Sequence, residues 1–524
     1  MTSMNLLSQL PTLKAGQKAY YGELCASGQA LIIAESAMQY QGITLVIAKT
    51  AHDANFLHRA ISFFLVNSQV PTLILPDWEI LPYDVFSPHQ DIISERLQVL
   101  ASLPKIKQAV LIVAVPTLLH QLPPTDYLAS RIFDYSIGDN LDRDLLQKQL
   151  DHAGYHRVDT VYEHGEYAFR GSIIDIFPMG EKTPFRIDLL DNEVESLRIF
   201  DPDTQRTVTN VGQLKLLPAR EFPLDKQSIN LFLNNWHDHF EQDPNQCQLY
   251  RDVKEGIAPQ GIEYYLRLFF AQTATLFDYL PDNTRVVAQG GLESAAQTFW
   301  GDVNTRYAEY GIDIQRPLLP PAQIFIPVEE LFHQLKRLPV AIISEGINDK
   351  PKQSNLSISK IPDIAINAKL NNPLQKLENF IADIPPTSRL LFCAESAGRR
   401  EVLLQFLDTA NLKPEAFDHW QQFVDSDQNL GIIIYPLDQG LYHKDRSLCL
   451  ITEGELFGQQ VLQRRRRSEV SESPNTVFKN LAELKTGAPV VHLNHGVGRY
   501  EGLITLKVDG SLQEFLSLVY AGDT

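Results

Sequence analysis

Short apolar runs alternate with amphipathic stretches through the first 125 residues. Leu45-Val46-Ile47-Ala48, Thr72-Leu73-Ile74-Leu75 and Val110-Leu111-Ile112-Val113 predict strands buried on both faces, as in a parallel sheet. Between them, Asp53 to Val66 and Ile92 to Leu103 have helical spacing, which gives the βαβ rhythm of an open twisted sheet. The texture changes over 126–217, which is strand-rich with tight turns. Phe185, Ile187 and Leu189 fall on one face of a strand, with Arg186, Asp188 and Leu190 on the other. Asp191-Asn192 then separates that run from Glu193 to Ile199, the spacing of a hairpin inside an α+β insert.

The α/β pattern returns over 218–348, with helical spacing from Gly261 to Ala271, a loop at Pro320-Pro321 and a strand at Val340 to Ile343. Asp349 to Ser357 is polar and aperiodic, and reads as a linker. A third α/β unit spans 358–456, with strands Arg389 to Cys393 and Leu430 to Ile434 around a helix from Arg399 to Leu407. Residues 457–480 read as a further linker that contains four consecutive arginines, Arg464 to Arg467. That run is either a solvated face or a nucleic-acid or partner patch. In 481–524, Val490 to Leu493, Val497 to Leu506 and Glu514 to Tyr520 predict three short strands punctuated by glycines. This is how a small SH3-like barrel starts, and three strands cannot close one, so the last unit reads as incomplete.

Composition narrows the class. With 524 residues, three or four domains are expected. A hydrophobic fraction of 44% excludes disorder of the whole chain. There are 46 basic and 64 acidic side chains, a net charge of −18, so bulk attraction to phosphate is excluded while a local basic groove is not. Cys25, Cys247, Cys393 and Cys449 are far apart, with no C-x-x-C pair, and read as buried free thiols. No run reaches the ~18 apolar residues of a membrane span. No secretory leader is visible, and a cytoplasmic location is expected.

The candidate chemistry is incomplete. A phosphate-binding loop is G-x-x-x-x-G-K-[ST] between a strand and a helix; its glycines open the backbone N–H groups to phosphate, and its Lys and hydroxyl hold phosphate and Mg²⁺. Here Glu23 stands at the first Gly position, Gly28 at the second, Gln29 at the Lys position and Ala30 at the hydroxyl position. This degenerate cradle predicts no nucleotide binding. Leu448 to Ile451 followed by Glu453 and Glu455 has the shape of a Mg²⁺-binding strand end, but without a competent loop it reads as a buried strand with a solvated acidic end. His492 and His495 have no further ligands to complete a metal site. No catalytic residue and no metal ligand set is assigned.

Three stretches carry a resemblance. Leu75-Pro76-Asp77-Trp78-Glu79-Ile80-Leu81-Pro82-Tyr83-Asp84, with Phe86 to Leu97, resembles the first domain of UvrB, the damage-verification helicase of bacterial excision repair. Arg170 to Gly180 resembles the domain of that family that docks on UvrA. His492 to Gly502 resembles the RNA-polymerase-interacting domain of the bacterial transcription-repair coupling factors, the Mfd family, which carry all three stretches in this order. The resemblance implies a UvrB-like open parallel sheet over 1–125 and 218–348, an inserted UvrA-binding α+β domain over 126–217, a third α/β domain, and the polymerase-interacting domain from 481 onward.

The resemblance also implies partners: UvrA, the RNA polymerase β subunit, and double-stranded DNA through a C-terminal motor that uses ATP and Mg²⁺ and has no counterpart here. The implied role is an adaptor in transcription-coupled nucleotide excision repair. The alternative is a UvrB-like ATPase acting directly on damaged DNA. For UvrA, the resemblance points to Arg170, Arg186 and Leu190, an Arg fork beside an apolar anchor; the plain alternative pairs Arg186 with Asp188 or Glu195. For polymerase it points to His495, Gly496, Arg499, Tyr500, Leu503 and Leu506. Leu503 and Leu506 then either add an edge strand to polymerase or fill the small barrel. Trp78 and Tyr83 are either a platform for bases or residues packing a loop on the sheet.

Overall fold

A computed structural model describes residues 13–313, 315–347, 353–366, 372–457, 489–492, 496–508 and 511–520. It divides into two compact units, 1–459 and 460–524.

The first unit is built on a twelve-stranded sheet. Its N-terminal strands are β1 (Lys18–Leu24), β2 (Ile43–Ala48), β3 (Thr72–Leu75) and β4 (Ala109–Ala114). Helices α1 (Ala26–Gln39), α2 (Ala51–Leu65) and α3 (Gln90–Ser102) cross between them. Every residue of β2 and β4 is buried, as their apolar runs, broken only by Thr44, demand, whereas β3 is the edge strand and only Leu75 is fully covered.

The insert follows. β5 (Phe133–Ser136) pairs with β12 (Gln213–Leu216) at its root. Between them lie β6 (His156–Arg157), β7 (Glu166–Arg170), β8 (Ile173–Ile176), β9 (Phe185–Leu190), β10 (Glu193–Phe200) and β11 (Thr207–Val211), which form a six-stranded sheet in the order β11-β10-β9-β8-β7-β6. The expected hairpin is β9–β10. It turns at Asp191, whose φ of +56° is tolerated by a short polar side chain in a tight turn. Phe185, Ile187 and Leu189 face the core and Leu190 faces out, as the alternation requires.

The chain returns to the large sheet through β13 (Thr284–Gln289) and β14 (Val340–Ile343). Gly261 to Ala271 is not the expected α-helix. It forms a 3-10 segment, Ile262–Phe269, entered at Gly261 in the left-handed region (φ +73°) and kinked at Tyr265; the Gly261 N–H donates to Ser87 Oγ and the Tyr265 hydroxyl to the Pro317 carbonyl, which ties its start and its middle to neighbouring loops.

The stretch read as a linker is partly a strand. Ser354–Ser359 forms β15, which pairs in parallel with β1 and buries Ile358 completely. Its sequence, Ser-Asn-Leu-Ser-Ile-Ser, has only two apolar residues, so tertiary pairing and not intrinsic pattern holds it. Next come β16 (Arg389–Ala394), β17 (Glu415–Phe417), β18 (Leu430–Ile434), β19 (Leu441–His443) and β20 (Leu448–Thr452). The complete order is β17-β18-β16-β20-β19-β15-β1-β14-β13-β2-β4-β3. All pairings are parallel except those of β19, which runs antiparallel to both β15 and β20 and so joins two parallel halves into one sheet.

The join is a core. Leu24, Ile33 and Leu57 share one apolar cluster with Ile358, Leu391, Trp420 and Leu441. Phe64 meets Trp420 edge-on at 5.0 Å, and Arg446 makes a two-point ion pair with the buried Glu35. The four cysteines are buried free thiols. No helix among the described residues is long and apolar enough to cross a membrane.

The second unit contains an antiparallel meander of β21 (Pro489–His492), β22 (Gly496–Val508) and β23 (Ser511–Tyr520).

Candidate functional site

The degenerate cradle is not a loop. β1 ends at Leu24 and α1 begins at Ala26, with Cys25 as the capping residue between them. Gly28 therefore lies in the first helical turn. Its N–H donates to the Cys25 thiol at 3.4 Å, and the Gln29 N–H donates to the Cys25 carbonyl. The donors a phosphate needs are already used. Gln29 and Ala30 are buried, and the Gln29 side chain donates from Nε2 to the Leu24 carbonyl at 3.1 Å. Glu23 (φ +58°) accepts from the Ser357 hydroxyl. β15 closes over the helix start: a Cβ at Gly28 would lie 2.7 Å from Ile358 Cγ2. Ser27 Oγ donates to the Gln439 carbonyl at 2.5 Å. Protein fills the space in front of the helix N-terminus.

The acidic strand end beyond β20 is not solvated, contrary to expectation. Glu453 is buried and pairs with Arg399 at 3.1 Å. Glu455 accepts from the N–H groups of Gly440 and Thr452, and burial pushes its carboxyl up. Glu455 ties the 440 loop to the end of β20, while Glu453 holds Arg399 through Oε2. No group of three or more potential metal ligands occurs among the described residues.

The outer face of the six-stranded sheet carries the predicted docking residues. Arg170 pairs across to Ile173, Ile173 to Asp188, and Asp175 to Arg186, so Arg170, Asp175, Arg186, Asp188 and Leu190 share one face. Asp175 is fully buried at the centre. Arg186 grips it with both arms, Nε to Oδ1 at 2.6 Å and Nη2 to Oδ2 at 2.9 Å, and lies over the Phe200 ring. The bond to Asp175 holds the guanidinium firmly in its charged form. The partner of Arg186 is thus Asp175, from the neighbouring strand, and not Asp188 or Glu195. Asp188 accepts instead from Arg198 at 2.7 Å.

Arg170 is half-exposed; it donates to the Asp159 carbonyl and the Thr160 hydroxyl and stands 4.0 Å from Asp175. Leu190 is 63% exposed at the end of β9. The structure therefore brings the three predicted residues to one face, with Arg186 as a strut and Arg170 and Leu190 as the accessible groups.

Sequence reasoning missed what seats this insert. Asp91, Ser94 and Arg96 of α3 each reach into the 156–222 segment. Asp91 meets His164 Nδ1 at 2.8 Å, Ser94 Oγ accepts from the Gly180 N–H, and Arg96 forms a fully buried pair with Glu221 at 2.7 Å while donating to the Pro76 carbonyl. The signal was present in the stretch Ser87 to Leu97, whose polar residues sit on an otherwise apolar helix. Trp78 and Tyr83 are both buried: Trp78 packs edge-on against His120, and Tyr83 donates to the Leu319 carbonyl. They fix a loop and form no platform.

In the second unit, Gly496, Arg499, Tyr500, Leu503 and Leu506 all lie on β22, where Arg499 pairs with Pro489 and Val519, and Leu506 with Gln513. Tyr500 is buried and Arg499 is exposed. His495 lies outside the described residues.

The domain content is matched by three family models in chain order. A UvrB interaction domain covers 133–222, an MFD D3 domain covers 380–456, and a CarD-like/TRCF RID domain covers 484–524. The chain is 42% identical over 513 residues to the transcription-repair-coupling factor of Escherichia coli K12, which covers 98% of this chain and 44% of the relative. The corresponding factor of Haemophilus influenzae is 38% identical over 96% of the chain and 44% of its own length. That of Bacillus subtilis is 25% identical over 86% and 39%. By fold and domain content this is a multidomain α/β protein carrying a UvrB interaction domain. In sequence and domain content it is similar to the transcription-repair-coupling factors, and it spans less than half the length of the curated relatives it matches.

Proposed function

We propose that this chain is the recruiting arm of a transcription-coupled nucleotide excision repair factor, an adaptor in the cytoplasm linking stalled RNA polymerase to UvrA. The observation that carries this reading is the outer sheet face of the UvrB interaction domain, where a rigid arginine–aspartate lattice flanks the exposed Leu190. An apolar anchor beside a prepaid guanidinium geometry is the make-up of a protein hot spot. Residues 161–200 carry four basic and eight acidic side chains, which favours a protein over a phosphate backbone. On this reading the large sheet is a UvrB-like, nucleotide-type scaffold with a degenerate phosphate loop. The 489–520 meander is part of an SH3-like barrel whose β22 contacts the polymerase β subunit through Arg499 and its neighbours. ATP, Mg²⁺ and duplex DNA belong to the motor of the longer relatives.

The test is UvrA binding in the absence of ATP. Leu190→Glu and Arg170→Glu are each expected to weaken the complex at least ~tenfold, a loss of about 1.4 kcal/mol, with the fold unchanged by circular dichroism. If both variants bind UvrA as the parent chain does, this face is not the docking site.

A further inference from the structure

A cavity of about 430 Å³ lies outside the carboxyl ends of β2, β3 and β4. Crevices of this kind, built from the loops after parallel strands, are where α/β sheets hold ligands. Asp77 comes from the loop after β3, His120 from the segment after β4, and Ala51 from the start of α2. The helix Leu292–Tyr310 contributes Phe299, Asp302 and Arg306, spaced so that one helical face looks into the space. Tyr264 and Phe325 complete the aromatic walls.

Two carboxylates, Asp77 and Asp302, and one guanidinium, Arg306, line this cavity, which leaves one negative charge in excess. Arg306 is turned to other work: its Nε donates to the Pro82 carbonyl at 2.5 Å and its guanidinium lies over the Tyr310 ring. Asp77 holds Thr117 Oγ1 and the Glu79 N–H, neither of which carries charge. Asp302 is exposed at the rim. His120 is 7% exposed, and its Nδ1 has no hydrogen-bond partner. Burial, reinforced by Arg96, keeps that imidazole neutral, so Arg306 is the one positive charge in the lining against two carboxylates. Carboxylates set among aromatic faces attract an organic cation, and a planar guanidinium can stack and donate at once.

We propose that this cavity takes the guanidinium of an arginine side chain carried by a protein partner. The partner is favoured over a free cation by the mouth of the cavity. Leu81 is 59% exposed there, yet its backbone is clamped: Tyr264 Oη donates to the Leu81 carbonyl at 2.7 Å, and Arg306 and Tyr83 anchor the residues that follow. A rigid apolar knob beside a polar hole suits a peptide with an arginine next to an aliphatic residue. A net charge of −18 favours approach of such a basic segment. The site is independent of the UvrA-docking reading, since none of its residues lies in 133–222.

The experiment titrates the whole chain with acetyl-Leu-Arg-Leu-amide, its citrulline counterpart and agmatine, followed by chemical-shift changes. Citrulline keeps the shape and removes the charge. The arginine peptide is expected to saturate, the citrulline peptide to bind about tenfold more weakly or less, and Asp302→Asn to bring the arginine peptide down to the citrulline level. Leu81→Ser is expected to weaken the peptide and leave agmatine unchanged, which marks a protein-borne arginine. The proposal is overturned if the arginine and citrulline peptides bind alike, if neither saturates, or if agmatine matches the peptide and Leu81→Ser changes neither. Asp302 and Leu81 are both exposed, so either variant is expected to fold.

Discussion

Arg186 and Asp175 show how a residue chosen for binding turns out to hold the surface that binds. The carboxylate has no access to water and is satisfied by two arms of one guanidinium. Removing the arginine strands a buried charge, a defect of about 3–5 kcal/mol. Arg186→Ala is therefore expected to lower the urea midpoint sharply, whereas Arg170→Ala, at a half-exposed site, costs within ~1 kcal/mol. A binding assay on Arg186→Ala alone would mistake unfolding for a lost contact. Titration tests residues of a second kind. Burial lifts the Glu263 carboxyl to about 7, against the hydroxyl bond from Ser87, and its ordinary value is 4.5. Between those values the folded chain keeps a proton the unfolded chain has released, so this contribution to stability falls as pH rises. Burial, with Arg446 beside it, lowers His443 from 6.5 to about 4, and neither ring nitrogen has a partner. Here the unfolded chain gains the proton first, and stability is lost as pH falls through that window. The two trends oppose one another in the parent chain and separate in variants. Glu263→Gln is expected to raise the urea midpoint at about pH 8 more than at about pH 5. His443→Leu is expected to raise it at about pH 5 more than at about pH 8.

Strands and helices with a strong internal pattern were legible in the sequence, and those held by their neighbours were not. β2 and β4 declare themselves by the apolar runs Leu45 to Ala48 and Ala109 to Ala114, and β9 by its alternation. β15 does not, because Leu356 and Ile358 are its only apolar residues and its partner β1 lies more than 300 positions away. Gly28 differs from its loop reading for a related reason. A glycine was read as loop chemistry, whereas its lack of a side chain makes room for Ile358 inside a helical turn. The same geometry makes a prediction about α1. Gly28→Ala is expected to destabilise the chain by about 1–3 kcal/mol, because the new methyl meets Ile358 at 2.7 Å. The double change Gln29→Lys with Ala30→Thr, which restores the missing ammonium and hydroxyl, is expected to confer no ATP binding by calorimetry. The obstacle is the strand packed over the helix start and not the identity of two side chains. ATP binding by that variant would show that β15 yields to a nucleotide.

At the scale of the molecule, the consequence is that the regions read separately as 1–125, 218–348 and 358–456 share one sheet. β1 is the hinge of this architecture: it has β14 on one side and β15 on the other, and the cluster around it draws on Leu24, Ile33, Leu391, Trp420 and Leu441. Contacts between separable domains are ordinarily polar and modest in area, whereas these are apolar and continuous with the interior. The insert has a six-stranded sheet of its own, rooted at the β5–β12 pair and the polar bonds from α3, and its core-facing Ile174, Phe185 and Ile187 share one apolar cluster with Leu45, Leu97 and Leu111. Such a layout keeps the UvrB interaction domain on a stiff base while leaving its outer strands free. A chain ending at residue 347 would leave β1 as an unpaired edge and expose the apolar face that β15 to β20 cover, which is the composition of an aggregating surface. That fragment is expected to elute as soluble aggregate or to precipitate, while a chain ending at 457 is expected to run as a single species with one cooperative unfolding transition. Size-exclusion chromatography with thermal melts decides the matter. A monodisperse, cooperatively melting 1–347 fragment would mean that the two parallel halves are separate domains that merely touch, and that β19 is a bridge between them and not a part of one core.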